Sequence, residues 1–264
     1  VETRPMLAQI EAFAPQWPRP ILNLPQAIRG LDRDLLFRTL RDAPGIEIPM
    51  TGRVSREELS DIGLSDVVLR DVVADGAFPL IVRPTGSHAG NGLEKVEDAD
   101  AIAAYLAKRP EDEFFVSRFV DYGDDDGQFR KYRVVFVDRH PYACHMAVCG
   151  EWKVWYLNAD MMTNAAKRAE EERFMARFDE DFSRKHAAAL GEIASRIGLD
   201  YFAIDCAETK DGKLLVFEAD NASIVHNMDP ADIFPYKGPQ MRKLFGAFVA
   251  MLHKYAGGSE ARAA

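Results

Sequence analysis

Apolar and polar residues alternate along the chain with two periods, one helical and one typical of strands. Apolar residues spaced three and four apart predict amphipathic helices at residues 31–45 and 184–198, the second ending at Gly198. Runs of β-branched and aromatic residues predict strands at 79–84 and 113–120, with further hairpins towards the C-terminus. Because helices and hairpins are interspersed, the pattern predicts an α+β fold with mostly antiparallel sheets.

Several shorter signals predict further elements. The sequence ILNL at 21–24 predicts a short strand, and SREE at 55–58 is a capping box that predicts the start of a helix. The charged run RAEEER at 168–173 predicts the solvated face of a helix, and a last helix is predicted at about 238–255. The tail at 256–264 is predicted to be disordered.

A hairpin is predicted at residues 201–223, in the sequence YFAIDCAETKDGKLLVFEADNAS. The pair Asp211-Gly212 is preferred at the centre of a two-residue type I′ turn. A two-residue loop would set Lys210 opposite Lys213, and it would fix the pairing of every residue beyond them. The turn therefore predicts which side chains face each other across the hairpin.

Three carboxylates interrupt the apolar runs of this hairpin. The predicted register sets Asp205 opposite Glu218 and Ala203 opposite Asp220, and strand alternation puts Glu218 and Asp220 on one face. Like charges that face each other across strands are destabilising, so such a patch needs a cation. Carboxylate oxygens without His or Cys suit Mg²⁺. The alternative is that the acids lie on the solvent face of the strands.

A glycine-rich turn, TGSHAGNG at 85–92, follows the predicted strand at 79–84. Glycines allow backbone N–H groups to approach phosphate oxygens, and an arginine at the end of the strand can bind the same anion. The pattern GxxxxGK[ST] is absent, and no helix follows the turn. A flexible surface turn is the alternative. The candidate phosphate contacts are Arg83, Gly86, Ser87, His88 and Gly90.

Composition narrows the functional classes. The chain has 264 residues, a net charge of −9 and a pI of about 5.2, which argues against nucleic-acid and membrane-surface partners. Its three cysteines form no CxxC motif, so a disulfide framework or zinc site is not expected, and a reducing, cytoplasmic location is predicted. No apolar run approaches the roughly 20 residues that span a bilayer.

The order of these motifs resembles the ATP-grasp superfamily, which includes D-alanine–D-alanine ligase, glutathione synthetase and ribosomal-protein glutamate ligases. The resemblance covers residues 20–230. It implies two α+β lobes that grip ATP between them: a small lobe at 23–118 with the glycine-rich loop, and a large lobe at 119–255 with the magnesium site. Family ligases have a further N-terminal domain, so residues 1–22 are expected to be the remnant of one.

Each matching stretch implies a role for particular residues. LDRDLLF resembles the first basic nucleotide contact of the family and implies Arg33, and LIVRP resembles the second and implies Arg83. KYRVVFV resembles the strand whose arginine, here Arg133, faces phosphate or the acyl intermediate. FFVSRFVD resembles the inter-lobe hinge that contacts adenine, and it implies Ser117, Arg118, Phe119 and Val120. An acid after this hinge usually binds ribose, which implies Asp121 or Asp124.

The paired strands of the hairpin resemble the magnesium-binding strands of the family. They imply two Mg²⁺ ions held by Asp205, Glu218 and Asp220. The loop after the second strand meets the second substrate in relatives, which implies Asn221 and His226; a surface loop histidine is the alternative for the latter.

The chain departs from the family pattern at several positions. Arg33 and Arg83 stand where relatives usually have lysine, and arginine keeps its charge and can bind phosphate through two N–H groups. Asp220 stands where relatives usually have asparagine. Lys131 stands where relatives often carry an acid, and the sequence assigns it no role.

The resemblance implies an ATP- and Mg²⁺-dependent ligase that joins a small-molecule or peptide carboxylate to an amine acceptor through an acyl phosphate. Arg133 and Arg83 would be the catalytic residues. Two alternatives stay open: a phosphotransferase that acts on a small-molecule hydroxyl, and a non-catalytic nucleotide-binding module.

Overall fold

A computed structural model describes residues 3–257 and shows a mixed α+β architecture with antiparallel sheets. The helices are α1 (Thr3–Phe13), α2 (Pro25–Arg29), α3 (Arg33–Leu40), α4 (Arg56–Ile62), α5 (Asp66–Val72), α6 (Asp100–Ala107), α7 (Ala165–Ala176), α8 (Phe182–Lys185), α9 (Ala187–Ile197) and α10 (Lys237–Gly257). The strands are β1 (Ile46–Glu47), β2 (Gly52–Ser55), β3 (Leu80–Pro84), β4 (Glu94–Val96), β5 (Glu113–Arg118), β6 (Phe129–Val137), β7 (His140–Cys149), β8 (Tyr201–Glu208) and β9 (Leu214–Asp220).

The chain divides into two compact units. The small unit consists of Asp32–Arg41 and Glu47–Asp121. The large unit consists, among the described residues, of 3–31, Asp42–Ile46 and 122–257. Each unit has its own sheet and its own buried apolar residues.

The small unit is built on a sheet with the strand order β2-β5-β3-β4. All three neighbouring pairs are antiparallel, and one apolar cluster joins the sheet to α4, α5 and α6. The predicted capping box is confirmed, because the Ser55 hydroxyl accepts the Glu58 N–H at 3.2 Å and the Glu58 carboxylate accepts the Ser55 N–H at 2.7 Å. The core fixes β3, which ends at the glycine-rich turn.

The large unit is built on a sheet with the strand order β1-β9-β8-β6-β7. The central strands β6 and β8 are largely apolar and buried, whereas α7 and α10 pack against β7. Helix α9 buries apolar residues at helical spacing and ends before Gly198, whose φ of 68° is in the left-handed region that favours glycine. The predicted end of this helix is therefore confirmed.

The hairpin of β8 and β9 differs from its prediction at the tip. Lys213 pairs with Thr209 and not with Lys210, because the Thr209 N–H donates to the Lys213 carbonyl at 3.0 Å. The loop thus has three residues, with Gly212 at a φ of 79°. The Thr209 hydroxyl stabilises the longer loop, since it accepts the Lys213 N–H at 3.0 Å and donates to Asp211 at 2.5 Å.

The register at the acids nevertheless matches the prediction. Asp205 lies opposite Glu218, whereas the next residue, Cys206, lies opposite Val216. Phe217 is therefore the extra residue of a β-bulge, and its ring packs 5.0 Å from the Tyr122 ring. The longer loop and the bulge shift the register in opposite directions, so their effects cancel at the acids.

The predicted strand at 21–24 is wrong. Asn23 has a φ of 55°, which ends any extended run, and its side-chain amide hydrogen-bonds the backbone at the start of β8. Its Oδ1 accepts the N–H groups of Asp200 and Tyr201 at 3.0 Å each, and its Nδ2 donates to the Tyr201 carbonyl at 2.6 Å. One side chain therefore connects this segment to the start of β8 without a strand.

The last helix extends beyond its prediction. Helix α10 runs to Gly257, two residues into the predicted disordered tail, and the rest of that tail, 258–264, lies outside the described residues. Within residues 3–257, none of the helices has the length and apolar character needed to cross a bilayer.

Glu208, at the end of β8, is expected to make the protein sensitive to acid. Its carboxylate accepts hydrogen bonds from His186 Nε2 at 2.7 Å and Lys185 Nζ at 2.6 Å. Burial favours the neutral form of Glu208, but these partners outweigh burial and lower its pKa from 4.5 to about 2. A lowered pKa contributes stability above the unfolded-state value, and that stability is lost as the pH falls from 4.5 towards 2.

Between pH 5 and pH 2, we therefore expect the wild-type protein to lose about 2 kcal/mol more unfolding free energy than Glu208→Gln, after allowance for its partial exposure. Urea denaturation at each pH measures this difference. The exposed control Glu151→Gln should follow the wild-type protein. Parallel pH profiles for wild type and Glu208→Gln would contradict the expectation.

Candidate active site

Asp205 is the central residue of a charged cluster in the large unit. It is 5% exposed and lies between Arg133 on β6 and Glu218 on β9, each directly opposite it. Arg133 donates from Nε to Oδ1 at 2.7 Å and from Nη2 to Oδ2 at 3.0 Å. Lys131 Nζ donates to Oδ2 at 3.1 Å. Both carboxylate oxygens of Asp205 therefore already accept hydrogen bonds from cations.

This pairing determines the charge state of the cluster. Burial favours the protonated form of Asp205, but the charges of Lys131 and Arg133 outweigh burial and hold the pKa of Asp205 well below its usual range. Burial likewise opposes the charged form of Arg133, and Asp205 outweighs it and raises the pKa of Arg133. Asp205 and Arg133 are thus both ionised, although burial opposes the charged form of each.

The loop after β9 begins beside this cluster. Arg133 Nη1 donates to the Ile224 carbonyl at 3.3 Å, so the arginine also holds the loop. Asn221 directly follows β9 and is half-buried. The His226 ring accepts the Met228 N–H at its own Nδ1, at 3.2 Å, which makes a local turn. The structure thus places both predicted substrate contacts on the segment that Arg133 anchors.

In the small unit, Arg83 folds onto the glycine-rich turn. It is 7% exposed, and its guanidinium donates to the Ser87 hydroxyl from Nε at 3.2 Å and also to the Ser87 carbonyl. The Ser87 hydroxyl donates to the Pro84 carbonyl at 2.8 Å. Gly92 is required at the end of the turn, because its φ is 67° and a Cβ there would lie 2.6 Å from Pro84 Cδ.

The remaining residues of this turn are more open. Gly86 and Gly90 have φ values of 72° and 71°, and His88 is exposed. The structure therefore brings together Arg83 and Ser87 of the predicted phosphate contacts, whereas His88 extends towards solvent.

The predicted hinge, Ser117 to Val120, lies at the end of β5. Arg118 is engaged by two acids, Glu47 and Asp75, the latter at 2.9 Å from its Nε. The Phe119 N–H donates to the Pro79 carbonyl at 2.8 Å, and Lys95 Nζ lies 4.5 Å from the centre of the Phe119 ring. Lys95 lies on β4, the strand after the glycine-rich turn, and it is not among the site residues predicted from the sequence.

Two further predicted contacts have clear positions. Arg33 is the first residue of α3, as expected from the sequence. Asp124 Oδ2 is bonded to Arg130 Nη1 at 2.7 Å, so the predicted ribose contact is already part of an ion pair in the large unit.

Comparison of the chain with protein families and curated proteins finds no matching family model and no similar curated sequence. Solved structures do resemble it. Carboxyaminoimidazole ribonucleotide synthase from Aspergillus clavatus, complexed with ATP, is 16% identical with a TM-score of 0.52, and the match covers 89% of this chain and 56% of that chain. N5-carboxyaminoimidazole synthase from the same organism, in complex with ADP and 5-aminoimidazole ribonucleotide, is 14% identical with a TM-score of 0.51 and the same coverage.

The chain has the ATP-grasp fold.

A RimK domain protein ATP-grasp from Sphaerobacter thermophilus is also similar, at 20% identity and a TM-score of 0.49, with 90% of this chain and 71% of that chain covered. The chain spans 56% of the length of each synthase. At these identities the likeness to the two synthases concerns the fold alone, and it confirms the predicted ATP-grasp fold with its antiparallel sheets.

The magnesium expected with an ATP-grasp fold can be tested against the residues of the hairpin. Glu218 and Asp220 are half-buried carboxylates on β9, which are hard oxygen donors of the right chemistry. Asp205 fits poorly, because three N–H groups already occupy its two oxygens. In the part of the chain that the structure describes, no three His, Cys, Asp or Glu side chains are arranged to hold a metal ion. The three-acid site stays a prediction.

A buried ionic network next to β7 was missed by the sequence analysis. Glu171 is fully buried, and its carboxylate accepts from Tyr236 at 2.6 Å and from Tyr156 at 3.0 Å. Lys237 Nζ lies 3.3 Å from Glu171 and 2.9 Å from Asp229. The prediction of a solvated face at 168–173 is therefore wrong for Glu171, whose partners come from distant parts of the chain.

Proposed function

We propose that the protein is an ATP-dependent ligase that joins a carboxylate to an amine. The observation that carries the proposal is the position of Arg133 on β6 and of the β9 carboxylates, on the two strands that flank β8 in an ATP-grasp fold. ATP-grasp proteins with a similar fold include synthases and ligases, which supports this class of reaction but not a particular substrate.

The reaction proceeds in two steps. An oxygen of the substrate carboxylate attacks the γ-phosphorus of ATP, the bond from that phosphorus to the β-phosphate oxygen breaks, and ADP leaves. The amine nitrogen then attacks the carbonyl carbon of the acyl phosphate. The bond from carbon to phosphate oxygen breaks, the nitrogen loses a proton, and inorganic phosphate leaves with the amide as product.

Positive side chains stabilise the charge that moves during these steps. Arg133 would bind the acyl phosphate and the oxyanion of the tetrahedral intermediate. Arg83, Arg33 and the glycine-rich turn would bind the ATP phosphates, with Gly86, Ser87, His88 and Gly90 as the turn contacts. The hinge residues Ser117 to Val120 would contact adenine, Asp124 ribose, and Asn221 and His226 the second substrate.

Magnesium, when bound, offsets the negative charge of the phosphates. Glu218 and Asp220 would hold it, since their carboxylates fit a hard cation.

The small lobe of this ligase would be residues 23–118, and the large lobe would be residues 119–255.

A phosphate-release assay across amino acids and short peptides, with Mg²⁺ and ATP present, tests the proposal. Release that depends on adding both a carboxylate and an amine supports ligation and identifies the substrates. A phosphorylated product without free phosphate would show a phosphotransferase instead. If Mg²⁺-ATP neither reacts nor shifts the thermal unfolding temperature, a nucleotide-dependent function of either kind is excluded.

Glu218→Gln is expected to lower turnover on the order of 100-fold, because it removes a negative charge from the metal ligand while keeping the shape of the side chain. Phosphate release with the substrates found in the screen measures the effect, and urea denaturation checks that the fold is retained. Glu172→Gln, the same change at an exposed position on α7, should keep wild-type turnover. Wild-type turnover in Glu218→Gln would refute the metal assignment.

A further inference from the structure

Lys131 makes the least expected contact in the candidate active site. It lies on β6 two residues before Arg133, so both side chains are on the same face of the strand. Its Nζ is 3.1 Å from Asp205 Oδ2, and its side chain is 18% exposed. A second fixed cation therefore lies against the buried acid that the sequence analysis assigned to magnesium.

This contact changes what Asp205 can bind. An ionised carboxylate offers about four lone-pair positions, and three hydrogen bonds from two cations already use most of those of Asp205. A Mg²⁺ ion needs oxygen ligands at about 2.0–2.1 Å in nearly octahedral geometry. At Asp205 the ion would have to displace an N–H donor and would approach the ammonium of Lys131 and the guanidinium of Arg133.

The charge of the cluster also argues against a Mg²⁺ ion at Asp205. Its three acids, Asp205, Glu218 and Asp220, carry −3, and Lys131 and Arg133 carry +2, which leaves a net charge of −1. In a nucleotide complex the phosphates supply most of the negative charge that a Mg²⁺ ion meets, so the protein itself adds little attraction for a second ion at Asp205. One ion, bound on the β9 side of the cluster, suits it better.

We propose that the ammonium group of Lys131 takes the place of one of the two magnesium ions, so that the nucleotide complex holds a single ion at Glu218 and Asp220. The inference rests on the proposed function for the presence of ATP and Mg²⁺. Lys131 then supplies a permanent positive charge next to the phosphates, one that does not dissociate when free Mg²⁺ is scarce.

The number of bound metal ions tests this assignment without any need for the substrates. Mn²⁺ replaces Mg²⁺ and is counted by electron paramagnetic resonance, in the presence of saturating β,γ-imido-ATP, which cannot be hydrolysed. The wild-type complex should hold one Mn²⁺ ion. Lys131→Met should hold two, with the second bound at least about 10-fold more tightly than in wild type, because Asp205 is then released from one cation. Lys131→Arg, which keeps the charge, should still hold one.

Two results would overturn the inference: two tightly bound ions in the wild-type complex, or a single ion in Lys131→Met. Lys131→Gln repeats the test if the methionine variant does not fold. If the nucleotide analogue does not bind, the proposed function fails, and Mn²⁺ is then counted on the protein alone. Lys131→Met should again gain one site relative to wild type, and equal counts would refute the role of Lys131 separately.

Discussion

Asp205→Asn should lower the free energy of unfolding by about 3–5 kcal/mol, the range for loss of one partner from a buried ion pair. Asparagine has almost the same shape, so packing around β8 is retained. The loss arises because Arg133 and Lys131, each 18% exposed, would then lie close together without the carboxylate that both of them contact. Urea denaturation at pH 7 measures the change.

Two variants make this test specific. Asp211→Asn changes the same residue type in the exposed tip of the same hairpin, and it should alter stability by less than about 0.5 kcal/mol. Adding Lys131→Met to Asp205→Asn should recover part of the loss, because it removes one of the two repelling cations. A loss below about 1 kcal/mol for Asp205→Asn alone would show that the cluster is well hydrated in solution.

Lys237→Met should lower the free energy of unfolding by a similar amount, about 3–5 kcal/mol at pH 7. Its side chain is 6% exposed, and its ammonium lies against the fully buried Glu171, which would be left without a cation. Methionine keeps most of the length of the side chain and can still pack against the rings of Tyr156 and Phe234, which the ammonium faces in the wild-type protein. The expected loss therefore reports charge rather than volume.

The pH dependence of this loss provides a second check. Burial raises the pKa of Glu171 even though Lys237 opposes the rise, so removal of the lysine raises that pKa further. An acid with a raised pKa contributes stability at low pH, and this contribution is lost as the pH rises through the folded-state value. The penalty of Lys237→Met should therefore be smaller at pH 5 than at pH 7.

Urea denaturation at both pH values measures that difference. Lys243→Met removes a lysine from an exposed pair with Asp179 and should change stability by less than about 0.5 kcal/mol at either pH. A penalty for Lys237→Met that does not depend on pH would contradict ionisation of Glu171.

Local signals predicted much of the fold. The capping box at Ser55, the end of α9 at Gly198 and the alternation of strands depend on residues close together in sequence, and the structure confirms them. The hairpin tip was harder, because the choice between a two- and a three-residue loop depends on the hydroxyl of Thr209 as well as on the Asp-Gly pair. The failed strand at 21–24 depends on β8, almost 180 residues away.

The residues of the candidate site likewise divide into those that the sequence points to and those that only the structure reveals. Arg133 and Asp205 were singled out from the sequence, because charged residues in apolar strands need partners, but the pairing of β6 with β8 that sets them opposite each other is known only from the structure. Lys131 could be found in the sequence, but its contact with Asp205 requires the twist and spacing of real strands. Glu171 and Lys237 belong to surface-like sequence patterns, and only the packing of α7 and α10 on β7 reveals that they are buried.

The bulge at Phe217 gives the hairpin a packed position between its tip and the acids. The extra residue lies between the loop and Glu218, and its ring is held against Tyr122, so the strand is fixed again before it reaches the site. Residues 210–212 are therefore a suitable position for a fluorophore or an affinity tag. A label there would lie at the exposed end of the hairpin that carries Asp205, and Phe217 would lie between the label and Glu218.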